Sequence, residues 1–155
     1  MYKRQVNDNS DIAIFNHGIF TKIINNTVKY NEQDGIKIAS DGARSSISSN
    51  NLVDNEGKSI IILAKNIAIE SNTIDADSSE IAISILNANF ASIENNTIEG
   101  GNLGIKVQNS TSAFIYNNTI KSNSGYGIQV LINSESARVK YNQLTDNEDL
   151  SLIHI

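Results

Sequence analysis

One spacing constrains this chain more than anything else in it. An asparagine recurs at positions 26, 50, 72, 96, 118 and 142, so that successive members are separated by 24, 22, 24, 22 and 24. Each stands in one frame: Ile23-Ile24-Asn25-Asn26-Thr27-Val28, Ile47-Ser48-Ser49-Asn50-Asn51-Leu52 and Ile69-Glu70-Ser71-Asn72-Thr73-Ile74. Ile93-Glu94-Asn95-Asn96-Thr97-Ile98, Ile115-Tyr116-Asn117-Asn118-Thr119-Ile120 and Val139-Lys140-Tyr141-Asn142-Gln143-Leu144 complete the series. A fixed period in the twenties marks a repeat architecture, whose units bury their apolar faces against one another.

A second segment recurs between the asparagines. It reads Asp11-Ile12-Ala13-Ile14, Gly35-Ile36-Lys37-Ile38, Ser59-Ile60-Ile61-Ile62, Glu80-Ile81-Ala82-Ile83, Gly104-Ile105-Lys106-Val107 and Gly127-Ile128-Gln129-Val130. Apolar residues alternate at period two and most are β-branched, so these segments are strands. Every repeat then holds three short strands separated by bends, with no stretch long enough for a regular helix. Stacking such coils about 4.8 Å apart gives parallel sheets along a solenoid, because the coil itself is the crossover. Leucine-rich repeats share this repeat length. They need abundant Leu and a convex segment, and they have no place for the second strand.

The Gly-Ile-x-Ile/Val strand, the polar turn and the Ile-x-x-Asn-x-Ile frame together resemble the right-handed parallel β-helix repeats of the pectate-lyase-like superfamily. The resemblance runs from Asp11 to about Leu144. It implies an all-β, single-stranded, right-handed parallel β-helix solenoid of about six coils, each with a sequence step of 22 to 24 and three short strands. It also implies a secreted, cell-surface or periplasmic protein that engages polysaccharide. The superfamily mixes lyases, hydrolases and epimerases with adhesins and tailspikes, so the motif speaks for fold and leaves catalysis open.

The two ends carry a separate signal. Met1-Tyr2-Lys3-Arg4-Gln5 back-translates as GTG-TAT-AAG-AGA-CAG, whose reverse complement reads Leu-Ser-Leu-Ile-His, and the chain ends Leu150-Ser151-Leu152-Ile153-His154-Ile155. One inverted DNA element encoding both ends is the pattern of a sequencing adapter. We therefore expect residues 1–5 and 150–155 to be non-native and residues 6–149 to be an internal β-helix fragment, with further coils of the parent solenoid at both ends. Without Lys3 and Arg4, ten basic residues face seventeen acidic ones, and His17 is the one remaining histidine.

Composition narrows the function classes. There is no Cys, so no disulfide framework or thiolate metal site. A net charge of −5 argues against a nucleic-acid footprint, and no run approaches the length of a membrane span. A lone histidine cannot build a multi-His metal centre, and His17 beside Gly18 reads as a surface turn residue.

The frame asparagines Asn26, Asn50, Asn72, Asn96, Asn118 and Asn142 are expected to bend the chain and to hydrogen-bond from coil to coil as a structural ladder, since an amide both donates and accepts. Gly35, Gly104 and Gly127 open the strand where a tight turn favours Gly, although Ser59 and Glu80 in other repeats make that requirement loose. Asn25, Asn95, Asn109 and Asn117 begin Asn-x-Thr triplets, which the frame itself generates.

In carbohydrate-active relatives the chemistry often projects outward from the Gly-Ile-x-Ile strand. Here that face is expected to show Ala13, Lys37, Ile61, Ala82, Lys106 and Gln129 in one column, with Phe15, Ala39, Leu63, Ser84, Gln108 and Leu131 in the next. Neither holds a carboxylate, whereas glycoside hydrolysis ordinarily needs two, and Lys37 or Lys106 alone supplies no acid/base constellation. No catalytic residue can be named from the sequence, and no cofactor is required. Acids gather instead at Asp54, Glu56, Asp75, Asp77 and Glu80, where adjacent coils could assemble an oxygen-rich calcium site. Glu70 and Glu94 should stack on neighbouring rungs with Lys140 nearby. Tyr30, Tyr116, Tyr126 and Tyr141 share no frame position, so no sugar-stacking platform is expected. Two functions follow: a scaffold segment of a polysaccharide-engaging β-helix, or part of a polysaccharide lyase, hydrolase or epimerase whose active rungs lie elsewhere or in the acidic loops.

Overall fold

The computed structural model describes residues 5–77 and 79–153, the last four by backbone alone. It is all-β among the described residues and winds as a solenoid of about six turns with three parallel sheets. The first sheet stacks Gln5–Asn7, Thr27–Lys29, Asn51–Val53, Thr73–Asp75, Thr97–Glu99, Thr119–Lys121 and Gln143–Thr145. The second stacks Ile14–Asn16, Ile36–Ile38, Ile60–Ile62, Ile81–Leu86, Leu103–Gln108, Tyr126–Val130 and Asp149–Ile153. The third stacks Lys22–Ile24, Ser46–Ser48, Ala68–Glu70, Ser92–Glu94, Phe114–Tyr116 and Arg138–Lys140. Of the terminal segments expected to be adapter-encoded, residues 1–4, 154 and 155 lie outside the described residues.

Period-two alternation explains the interior. In the first and third sheets one residue per strand points inward, in the second two do, and each lies on its equivalent in the next coil: Val28, Leu52, Ile74, Ile98 and Ile120 in the first, Ile36, Ile60, Ile83, Ile105 and Ile128 together with Ile38, Ile62, Ile85, Val107 and Val130 in the second. The third contributes Ile47, Ile69, Ile93 and Ile115, and all these side chains are essentially excluded from water. Stacked β-branched residues are stiff at χ1 and pack the pleat closely, so one apolar column fills the first and third walls and two fill the second. Burying each such side chain is worth roughly 1.5–3 kcal/mol.

The six asparagines form the expected ladder. Nδ2 of Asn26, Asn50, Asn72, Asn96 and Asn118 donates to Oδ1 of the next member at 2.9–3.0 Å. The backbone N–H of each donates to that same oxygen at 2.9 Å. The left-handed bend, however, is not at the ladder asparagine. It is one residue earlier, at Asn25, Ser49, Ser71, Asn95, Asn117 and Tyr141, with φ of 53–57°. The preceding residue turns the chain, and the turn aims the asparagine inward.

A second ladder, which the sequence reading missed, lies five residues further on. Asn9 donates to Asn31 at 2.8 Å and Asn31 to Asn55 at 2.6 Å, and the row resumes at Asn123, which donates to Asn147 at 2.6 Å. Asp77 and Gly101 stand at the intervening positions and interrupt it, and the Asn123 Oδ1 is left without a partner.

Two repeats sit two residues from the expected register. Ile14, not Ile12, pairs with Ile36, and Ile83, not Ile81, pairs with Ile60. A shift of two preserves which face each residue occupies, so alternation alone could not detect it. The strand-opening column is therefore Ala13, Gly35, Ser59, Ala82, Gly104 and Gly127, with Ala82 where Glu80 was expected. All are small. A Cβ on Gly35 would stand 2.7 Å from the Ser59 carbonyl oxygen, and one on Gly104 would stand 2.5 Å from that of Gly127. Close backbone approach, not a positive φ, sets this preference.

Candidate functional site

On the outer face of the second sheet, Phe15, Lys37, Ile61, Ser84, Lys106 and Gln129 share one column. Phe15 and Ser84 thus replace Ala13 and Ala82, and in the next column His17 and Leu86 stand where Phe15 and Ser84 were expected. Ala39, Ile61, Ala82 and Ser84 are buried, so the middle of this face is closed rather than solvated. Neither column holds a carboxylate.

One end of that face carries a constellation the sequence reading did not assemble. His17 Nδ1 lies 3.1 Å from Asp41 Oδ1 and 3.2 Å from Oδ2. The Phe15 ring meets the His17 ring at 4.3 Å, and Lys37 Nζ stands 5.4 Å from the Phe15 centroid. Asp41 follows His17 by one repeat step, and that arithmetic is the signal that would have paired them. With Nδ1 engaged by the carboxylate, Nε2 is the nitrogen available for proton transfer. The pair is exposed, and such pairs stabilise a fold little.

The acidic residues divide. Asp75 and Asp77 lie together beside Asp54, whose backbone N–H donates to the Asp75 carbonyl at 3.1 Å. Glu99, not anticipated, joins them, for it pairs in register with Asp75 and forms a 2.9 Å salt bridge to Lys121. The Asp75 carboxyl is raised above the ordinary carboxylate range, first by burial and then by the charges of Asp77, Asp54 and Glu99, against a lowering hydrogen bond from Asp77 N–H. Glu56 and Glu80 are exposed and are not among the charges that raise it. Among the described residues, no group of three or more His, Cys, Asp or Glu side chains is arranged to hold a metal ion.

The third sheet presents the most varied outer surface. One column runs Ile24, Ser48, Glu70, Glu94, Tyr116, Lys140, and the other Lys22, Ser46, Ala68, Ser92, Phe114, Arg138. Glu70 and Glu94 stack as expected. Lys140 does not relieve them, because Tyr116 occupies the rung between, and the Ser92 hydroxyl donates to Glu94 instead. The tyrosines share no frame position, yet aromatic rings do meet here. Phe114 and Tyr116 stack at 5.4 Å with 16° between ring planes, and Tyr141 meets Tyr116 edge-on at 5.2 Å. The two tyrosines occupy different frame positions, but the next coil's corner carries Tyr141 back over Tyr116.

Comparison with known proteins agrees with this architecture. The model of the family described as right handed beta helix region matches residues 61–154, and the chain belongs to that family. Among solved structures, the chain is similar to the periplasmic alginate epimerase AlgG, with a TM-score of 0.69 at 13% identity over 96% of this chain and 44% of that one. It is also similar to the A-module of the Azotobacter vinelandii mannuronan C-5 epimerase AlgE6, with a TM-score of 0.52 at 12% identity over 88% of this chain and 55% of that one. The chain thus spans about half the length of these structures. No curated protein matches it in sequence. At these identities the likeness is one of fold, a right-handed parallel β-helix.

Proposed function

We propose that this chain is a stretch of a secreted, cell-surface or periplasmic β-helix protein that engages polysaccharide, and that the stretch acts as scaffold. The observation carrying the reading is the unbroken asparagine ladder through six coils of nearly constant length. It builds a continuous wall on which an extended polymer can lie along the solenoid axis. Similar folds belong to a periplasmic alginate epimerase and a mannuronan C-5 epimerase, which supports carbohydrate as the partner class and the cell exterior as the compartment. The test is affinity electrophoresis through gels containing alginate, pectate, xylan or glucomannan. Retardation by at least one gel is expected, and unretarded migration in all would refute the reading.

A second reading, part of an epimerase, lyase or hydrolase, has two observations in its favour. His17 is held by Asp41 beside Lys37, and Asp54, Asp75 and Asp77 share a corner whose mutual repulsion a hard cation such as calcium would relieve. Turnover of alginate, pectate or chondroitin that disappears in His17→Ala, Asp75→Ala or Asp77→Ala would establish it.

A further inference from the structure

The exposed aromatics show a pattern with a physical cost. Among the described residues, every exposed phenylalanine and tyrosine but Phe15, namely Phe20, Tyr30, Phe90 and Tyr141, stands at a corner residue in the left-handed region, with φ of 55–60°. Bulky side chains avoid that region, and the equivalent of Tyr141 in the other five coils is Asn or Ser. Tyr141 is also 75% exposed, so burial does not repay the strain. A strained residue that the surrounding fold does not require is a pointer to use. Among the four, Tyr141 is the one that joins other rings.

On the polysaccharide reading above, which it refines, we infer that Tyr141, set at 80° to Tyr116 and backed by the stacked pair Phe114 and Tyr116, supplies the exposed ring of a platform on which a neutral glycan chain lies along the solenoid axis. Aromatic faces take the C–H faces of sugar rings, and the tyrosine hydroxyls hydrogen-bond at the wet edge. The ends of the platform are polar. Arg138 borders a depression of about 260 Å³ with Phe114, Ser112 and Ser136, and Glu70, Glu94 and Ser92 border a smaller one of about 70 Å³. From the Glu70 rung to the Lys140 rung the strip spans three strand spacings, roughly 14 Å.

Charge along the strip is mixed, with Glu70 and Glu94 at one end and Arg138 and Lys140 beside the rings, and the net charge of the chain tips the choice toward a neutral glycan. A polyuronate would bring carboxylates against Glu70 and Glu94 on adjacent rungs, on a protein of net charge −5. Hydroxyl groups meet no such penalty, because they donate to the two glutamates and accept from Arg138 and Lys140.

The experiment is calorimetric titration of the whole chain with cellohexaose, mannohexaose and an oligomannuronate of equal length, paired with thermal melts. A neutral hexaose should bind, and Tyr141→Asn should weaken it about three- to tenfold while the melting midpoint holds or rises. Tyr116→Leu should weaken it similarly. Tyr30→Asn, at a left-handed corner elsewhere, should match the stability change without touching affinity. Unchanged affinity in Tyr141→Asn and Tyr116→Leu would overturn the platform and leave polysaccharide engagement standing. Oligomannuronate binding as tightly as the neutral hexaoses would overturn the ligand class. No binding by any probe, together with unretarded migration in every gel, would remove the underlying reading as well.

Discussion

Replacing Asn96 by Ala should weaken the fold far more than replacing its neighbour Asn95. Asn96 Oδ1 accepts from the Asn72 N–H and Nδ2, both at 2.9 Å, and its own Nδ2 donates to Ile69 O, Glu94 O and Asn118 Oδ1. The side chain is 1% exposed, so no water substitutes for it. Truncation orphans a buried N–H at about 1–3 kcal/mol and removes further bonds worth about 1 kcal/mol each, for a total of about 3–4 kcal/mol. Asn95 is exposed, and its Oδ1 accepts only an exposed 2.7 Å bond from Asn117. Its left-handed φ of 57° still makes Ala there cost about 1 kcal/mol. The net difference is about 2–3 kcal/mol, or about 4–12 °C in melting midpoint for a chain of this size. Thermal melts of both variants, with Asn95→Gly as a near-neutral control, measure it directly. Equal midpoints for Asn96→Ala and Asn95→Ala would refute the ladder argument.

Further outcomes follow from other positions. Because burial and neighbouring acids raise the Asp75 carboxyl, the folded state holds that proton more tightly than the unfolded one, so this contribution to stability is lost as pH rises through the carboxylate range. Asp75→Asn should therefore raise the melting midpoint at pH 7, with the gain vanishing below about pH 4 in a pH series of melts. Gly104→Ala should destabilise by at least about 1 kcal/mol, as its Cβ would stand 2.5 Å from Gly127 O and 2.6 Å from Ile120 Cγ2, and urea titration checks it. A depression of about 400 Å³ lined by Val6, Ala13, Ile14 and Ile23 exposes apolar residues and unpaired strand edges at one end of the described solenoid. Sedimentation velocity should show concentration-dependent association, and clean monomer at high concentration would contradict it.

The repeat made the fold legible before any coordinates. A near-constant repeat step, alternation around isoleucine and a recurrent asparagine leave little besides stacked parallel coils. Register was legible only modulo two, because Ile12 and Ile14, or Ile81 and Ile83, satisfy alternation equally and only the pairing of coils chooses between them. The surface was less legible still. His17 and Asp41 are one repeat apart and could have been paired by arithmetic. Tyr116 and Tyr141 could not, because their contact depends on the corner turning a side chain back over the previous strand. Glu99 entered the acidic corner through its register with Asp75, while Glu56 and Glu80 do not act on it.

The central claim, that this chain engages polysaccharide without altering it, is tested most directly by proton NMR of glycans incubated with the protein over days. The account predicts broadened lines for at least one glycan and an unchanged spectrum once the protein is removed. New olefinic, reducing-end or inverted uronate signals, or sharp lines for every glycan, would contradict it.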